Sequence, residues 1–258
     1  MTPEPEPIRA AALRVTHGFF TRRGGVSAGP FASLNCSLSG GDGREAVLMN
    51  RARAARAVGA EPDRLVGLHQ VHGADVVEVA RPWLPGQGPR ADAMVTAHAR
   101  LALGIITADC APILLAETRA GVAGAAHAGW RGAVAGVIEC TVAAMARLGA
   151  DLTATVAVIG PCIGQSSYEV GADLRDVVLG RDPIDERFFA TGRREGRWQF
   201  DLAGYCGARL TAAGVGTVHV LGVDTATDEQ AFFSHRRRTL GGGGPIGHQI
   251  SLIMLDGR

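Results

Sequence analysis

Apolar positions along this chain fall into two rhythms. Short apolar runs at residues 13–20, 64–68, 75–79, 91–96, 101–107, 113–116, 122–126, 155–159, 217–221 and 249–255 read as strands, because each is bounded by turn-forming residues. A 3.6-residue rhythm begins at Gly132, where Val134, Val137, Ile138, Thr141, Met145 and Leu148 fall on one stripe closed by Gly149. Further helices are expected at residues 44–58, 172–179 and 201–213. Helices and strands mix without strict alternation, no repeat recurs, and no GxGxxG follows a strand, so a dinucleotide-binding fold is unsupported.

Between these elements lie loops. Residues 21–35 pack Gly, Pro and Ser between two apolar stretches and place Arg22 and Arg23 at the mouth of a long loop, where a solvated charge is the default reading. The Pro- and Gly-rich run at 81–90 is expected at the surface. The four glycines at 241–244 precede a proline and a strand rather than a helix, so they read as a turn and not as a phosphate loop. Residues 1–12 are expected to form a flexible arm and 13–258 the folded unit.

Composition narrows the chemistry. A chain of 258 residues with 47% apolar side chains can bury a large core. Five widely spaced cysteines, odd in number and without a CxxC pair, argue against a disulfide framework and suit a reducing, cytoplasmic setting. The opening residues lack a signal-peptide pattern, and no apolar run is long enough to span a bilayer. A net charge of +1 points to neither nucleic acid nor an anionic membrane. All 26 basic residues are arginine, which excludes Schiff-base, pyridoxal and Walker-lysine chemistry; any phosphate must be held by arginine forks, backbone N–H groups or a metal.

Three segments end an apolar strand with a good metal donor: His72 in QVHG, Cys110 in TADC, and His127 in AHAGWRG. Two imidazoles and a thiolate make a tetrahedral zinc shell with one open position, the arrangement of a catalytic rather than a structural site. Taken singly, a buried His or Cys is more often a satisfied core side chain than a ligand. His69, three residues from His72, is the weaker candidate because it would face the other side of a strand. Eight histidines without an HxH pair are too few for several copper centres. Arg131, at the start of the strong helix, could form an anion-binding corner or a structural ion pair. Asp109 could act as a general base, orient a ligand, or cap a loop. Cys162 in GPCIG is a turn thiol for which an inert, buried state is the commoner reading.

The ordered segments HGFFTRRGGVS, SLN, QVHG, ADAMVT, TADCAPILL, AHAGWRG, GPCIG with YEVG, and FFSHRR resemble the laccase-domain family, also called polyphenol oxidase or peptidoglycan editing factor. The resemblance runs from about His17 to the C-terminus. It implies a single α/β (α+β) domain, a four-layer αββα sandwich with two mixed sheets inside, and metal ligands at His72, Cys110 and His127. It also implies a zinc-dependent purine nucleoside phosphorylase acting on adenosine, inosine and methylthioadenosine, with adenosine deaminase activity; copper is the secondary choice of metal. On this reading the partners are a nucleoside and phosphate, with no nucleic acid, membrane or identified protein. The catalytic candidates are Asp109, Arg22 and Arg131, and the substrate-binding candidates Asn35 and Cys162. One departure stands out: His248 occupies a position where the family pattern has an arginine. Two alternatives remain, a cysteine amidohydrolase with Cys110 as nucleophile and His127 as its base, acting on a peptidoglycan precursor, and a non-catalytic metal-stabilised binding domain.

Overall fold

The computed structural model describes residues 3–257. In chain order the elements are β1 (Thr16–Phe19), α1 (Arg44–Ala57), β2 (Leu65–Gly67), β3 (Val76–Glu78), β4 (Ala93–Thr96), β5 (Ala102–Thr107), β6 (Ala111–Glu117) and β7 (Val122–Ala128). There follow α2 (Trp130–Ala135), α3 (Val137–Arg147), β8 (Val156–Ile159), β9 (Glu169–Val170), α4 (Ala172–Arg181), β10 (Phe189–Thr191) and β11 (Trp198–Phe200). The chain ends with α5 (Leu202–Ala212), β12 (Thr217–Val220), α6 (His235–Leu240) and β13 (Gln249–Met254).

Two mixed sheets stack face to face. One has the order β1-β13-β5-β2, with β2 parallel to β5 and the other pairs antiparallel. The second has the order β12-β8-β6-β7-β4-β3, antiparallel through its middle and parallel at both margins. Leu103, Ile105 and Ile253 of the first sheet meet Met94, Leu114, Ala125 and Val158 of the second in one apolar cluster between them. The outer face of the first sheet is covered by α1 through Ala54 and Ala55, and that of the second by α3 and α5 through Val137, Ile138, Met145 and Leu210. The result is the expected α/β sandwich of four layers. Burial on both faces explains why β6 and β7 are wholly buried apolar runs and not alternating ones.

The structure departs from the sequence pattern in several places, among them the short helix α6, which was not expected. The single helix expected from Gly132 is two helices, because Gly136 adopts φ +100°, a left-handed conformation that caps α2 and redirects the chain into α3. A third, antiparallel sheet of β10, β11 and β9 was not legible, since strands of two and three residues are shorter than any periodic signal. Within the stretch expected to be a flexible arm, the described residues lie along β1: Ile8 bridges Phe19, the Ala10 N–H donates to His17 Nε2 at 2.9 Å, and Ala10 is buried. No helix of the described residues is long and apolar enough to cross a membrane.

Leu114 sits in the inter-sheet cluster with no exposure. Leu114→Ala is expected to cost about 2–5 kcal/mol in urea unfolding, whereas Leu84→Ala, on an exposed side chain, should stay within roughly 0.5 kcal/mol of the parent. Equal effects of the two would show that this cluster does not carry the fold.

Candidate metal centre and its cavity

Strand register assembles the centre. Ala93 of β4 lies opposite Ala126 of β7, so Asp92 and His127, one residue further along each antiparallel strand, are brought together. The His127 N–H donates to the Asp92 carbonyl at 2.7 Å, and His127 Nδ1 lies 2.8 Å from Asp92 Oδ1. With Nδ1 committed to the carboxylate, the other ring nitrogen is left for a metal. Pro112 of β6 pairs with His127, and Cys110 immediately precedes β6, which sets the thiol beside the imidazole.

His72 arrives from a turn rather than a strand. Gln70 grips the β5 backbone as a strand would: its Nε2 donates to the Ile106 carbonyl at 2.8 Å and its Oε1 accepts the Ile106 N–H at 2.9 Å. Asp92 then gathers the turn, with its carboxylate accepting the N–H groups of Val71, His72 and Gly73 at 2.7–3.2 Å. His72 itself has φ +59° and Asp109 φ +88°, conformations that cost a non-glycine residue about 1–3 kcal/mol and cluster at functional sites. Glycine supplies the space. A Cβ on Gly129 would come 2.8 Å from His72 Cδ2 and 2.9 Å from Cys110 Sγ, and one on Gly132 would come 2.8 Å from the Gly73 carbonyl, which explains both glycines of AHAGWRG.

The donor atoms of His72, Cys110 and His127 lie within 4.8 Å of one another, with Cys110 Sγ 3.8 Å from His72 Nε2 and the imidazole centroids 4.7 Å apart. Metal–ligand bonds of about 2.0–2.3 Å to a shared tetrahedral ion put donors roughly 3.5 Å apart. The set therefore fits a single ion of zinc-like ligand preference, and it is the one such group among the described residues. Electrostatics agree. Burial alone would raise the Cys110 thiol, but His127 and His72 override it and hold the thiol well below its ordinary value. Burial would likewise lower His127, yet Cys110 and Asp92 hold it high. Asp92 is pulled down by its hydrogen bonds against the burial that would raise it, and stays a carboxylate.

The three donors open onto a cavity of about 690 Å³. Arg131 lines it, with its guanidinium 4.3 Å over the Trp130 ring; α2 is short, and among the described residues no carboxylate pairs with this arginine. Asp109 also lines it, but its oxygens accept from Thr225 Oγ1 at 2.7 Å, Ser234 Oγ at 2.9 Å and the Arg236 N–H at 2.6 Å. Its carboxylate thus ties the segments carrying Thr225 and α6 to the β5–β6 turn. Arg22, Asn35 and Cys162 are not in the lining. Arg22 donates to the carbonyls of Ala32 and Glu229 and stacks on Phe233. Asn35 is fully buried, holding Asp42 and the N–H groups of Ser37 and His248. Cys162 is buried, which pushes its thiol far up. These three brace the wall and do not face the space.

Sequence reasoning missed Asp92, Tyr168, His235 and Arg236, of which the last three line the cavity. A carboxylate at the head of a buried strand was the available signal for Asp92. His248 lines the cavity too: burial, then the nearby His127, His235 and Arg238, push its imidazole down to about 4, and its buried Nδ1 has no hydrogen-bond partner among the described residues. His69 lines the cavity without joining the donor group.

Residues 16–256 match the family model described as multi-copper polyphenol oxidoreductase laccase. Among curated proteins, the chain is 44% identical over 257 residues to a purine nucleoside phosphorylase of Deinococcus radiodurans, covering 97% of this chain and 93% of that one. It is 43% identical over 224 residues to one of Streptomyces coelicolor, covering 87% and 91%. Among solved structures, YlmD from Geobacillus stearothermophilus superposes with a TM-score of 0.87 at 30% identity, covering 100% of this chain and 98% of that one.

Asp92→Asn keeps the shape of the side chain but turns an amide toward donors, and Gly129→Ala puts a methyl against two of the candidate donors, His72 and Cys110. Each should weaken metal affinity by about 10–100-fold in competition with a chromogenic chelator. Parental affinity in both variants would contradict this geometry.

Proposed function

On the premise that the chain belongs to the multi-copper polyphenol oxidoreductase laccase family, we propose that it is a zinc-dependent purine nucleoside phosphorylase with adenosine deaminase activity. The observation that carries this reading is a single three-donor centre, His72, Cys110 and His127, opening into a cavity large enough for a nucleoside. Purine nucleoside phosphorylases among the curated relatives support the reaction class. The histidine count speaks against the several copper centres that the family description suggests.

In phosphorolysis a phosphate oxygen bonds to ribose C1′ while the C1′–N9 bond breaks and its electron pair leaves with the base. The residues of this chain position and stabilise that exchange. Trp130, Ile163 and Leu202 offer apolar lining to a purine. Tyr168, kept protonated by burial against the neighbouring charges, presents a hydroxyl donor, and Arg236 packs over its ring at 5.4 Å. Arg131 offers a cation at the rim of the same space to a developing negative charge. Asp109 serves as a positioning residue through Thr225, Ser234 and Arg236. A zinc ion on the three donors would supply Lewis acidity, the chemistry on which deamination of adenosine rests. The setting proposed for the reaction is the cytoplasm, where a thiolate ligand stays reduced.

Elemental analysis should find about one zinc per chain. Adenosine should yield adenine and ribose 1-phosphate only when phosphate is added, and inosine without it. His72→Ala and Cys110→Ala should each cut both activities by more than about 100-fold with the circular dichroism spectrum unchanged, since losing a ligand exceeds the effect of losing its outer partner. Full activity in either variant, or after removal of metal by chelation, would sink the assignment and favour a Cys110–His127 nucleophilic pair.

A further inference from the structure

The cavity is electrically lopsided. Four arginines line it, at 44, 51, 131 and 236, against one carboxylate, Asp109, whose oxygens are already taken by three donors. Three of the arginines are braced by neighbours: Arg44 donates to the Pro85 carbonyl, Arg131 lies over Trp130, and Arg236 donates to the Glu169 carbonyl. Arg51 is different. It is 7% exposed, and its hydrogen bond is a single long one, Nη1 to the Cys36 carbonyl at 3.3 Å. Among the described residues no carboxylate pairs with it, and the one ionisable group that favours its charge is Cys36, whose own thiol is pushed up to about 12 by burial and is therefore neutral. A buried guanidinium without a counter-charge is costly unless an anion is brought to it.

We infer that the part of the cavity where α1 closes it is an oxyanion subsite built on Arg51, seating the inorganic phosphate that attacks ribose C1′. The space there is provided for: a Cβ on Gly67, which also lines the cavity, would come 2.9 Å from Arg51 Nη2. Ser37 lines it as well; its Oγ accepts the Ser39 N–H at 3.4 Å and lies 3.3 Å from Ser39 Oγ, a contact in which Ser39 can donate and leave the Ser37 proton for an anion. His248, which also lines the cavity, stands beside this segment, its carbonyl accepting the Cys36 N–H. A guanidinium fork beside a serine hydroxyl matches a tetrahedral oxyanion, in a chain with no lysine to take that part. That the anion is phosphate rests on the phosphorylase reading; the subsite itself rests on the buried cation.

The test is calorimetric titration of inorganic phosphate into the purified full-length protein in chloride buffer, for the parent, Arg51→Gln and Gly67→Ala. Phosphate should bind the parent, and both variants should bind it about tenfold more weakly or worse. Gly67→Ala retains the arginine and crowds it, so the inference stays testable if Arg51→Gln fails to fold. No binding to the parent at millimolar phosphate, or undiminished binding to Gly67→Ala and any folded Arg51→Gln, overturns it. Arg51-dependent binding in a protein that turns over no nucleoside with phosphate would uphold the subsite and end the phosphorylase reading. Phosphate-dependent turnover whose KM for phosphate is unchanged in both variants would do the reverse.

Discussion

The carboxylate of Asp92 is the constraint on which the centre depends. It is fully buried, yet four hydrogen-bonding groups converge on it: three consecutive backbone N–H groups from residues 71–73 and the His127 imidazole. One side chain therefore fixes a turn from one part of the chain against a strand from another. It also sets the ring orientation of His127 and holds the left-handed backbone of His72. An unsatisfied buried carboxylate would be far more costly than any of these bonds is favourable, so the arrangement locks as a unit.

Around that lock, the sandwich provides rigidity without contributing chemistry. The donors sit where strands end, on a turn, on the β5–β6 connection and in β7, while the apolar cluster between the sheets keeps those strands in register. Glycines 129 and 132 let α2 approach close enough for the three donors to share one point. Small residues at this crossing are thus a steric requirement of the site and not a sign of flexibility.

Much of this was legible from residue order. Apolar runs followed by His or Cys proposed the three donors, which the structure brings within reach of one another, although His72 comes from a turn and not from a strand. The long stripe after Gly132 identified the helical layer, since amphipathic periodicity is a local property. The expectations for Arg22, Asn35 and Cys162 came with the family resemblance, and residue order does not tell which side chains face the cavity and which brace its wall.

Apolar spacing by itself gave a mix of strands and helices, residue chemistry offered His72, Cys110 and His127 as candidate donors, and the absence of lysine dismissed lysine-dependent chemistries; the four layers came from the family resemblance. The tertiary structure alone decided which polar groups work together. Asp92 meets residues 71–73 and His127 only through strand register, and Arg51 becomes an unpaired cation only once α1 packs against a glycine of β2. Local pattern is written in spacing along the chain, whereas convergence and burial of charge depend on contacts between segments that the chain does not place next to each other.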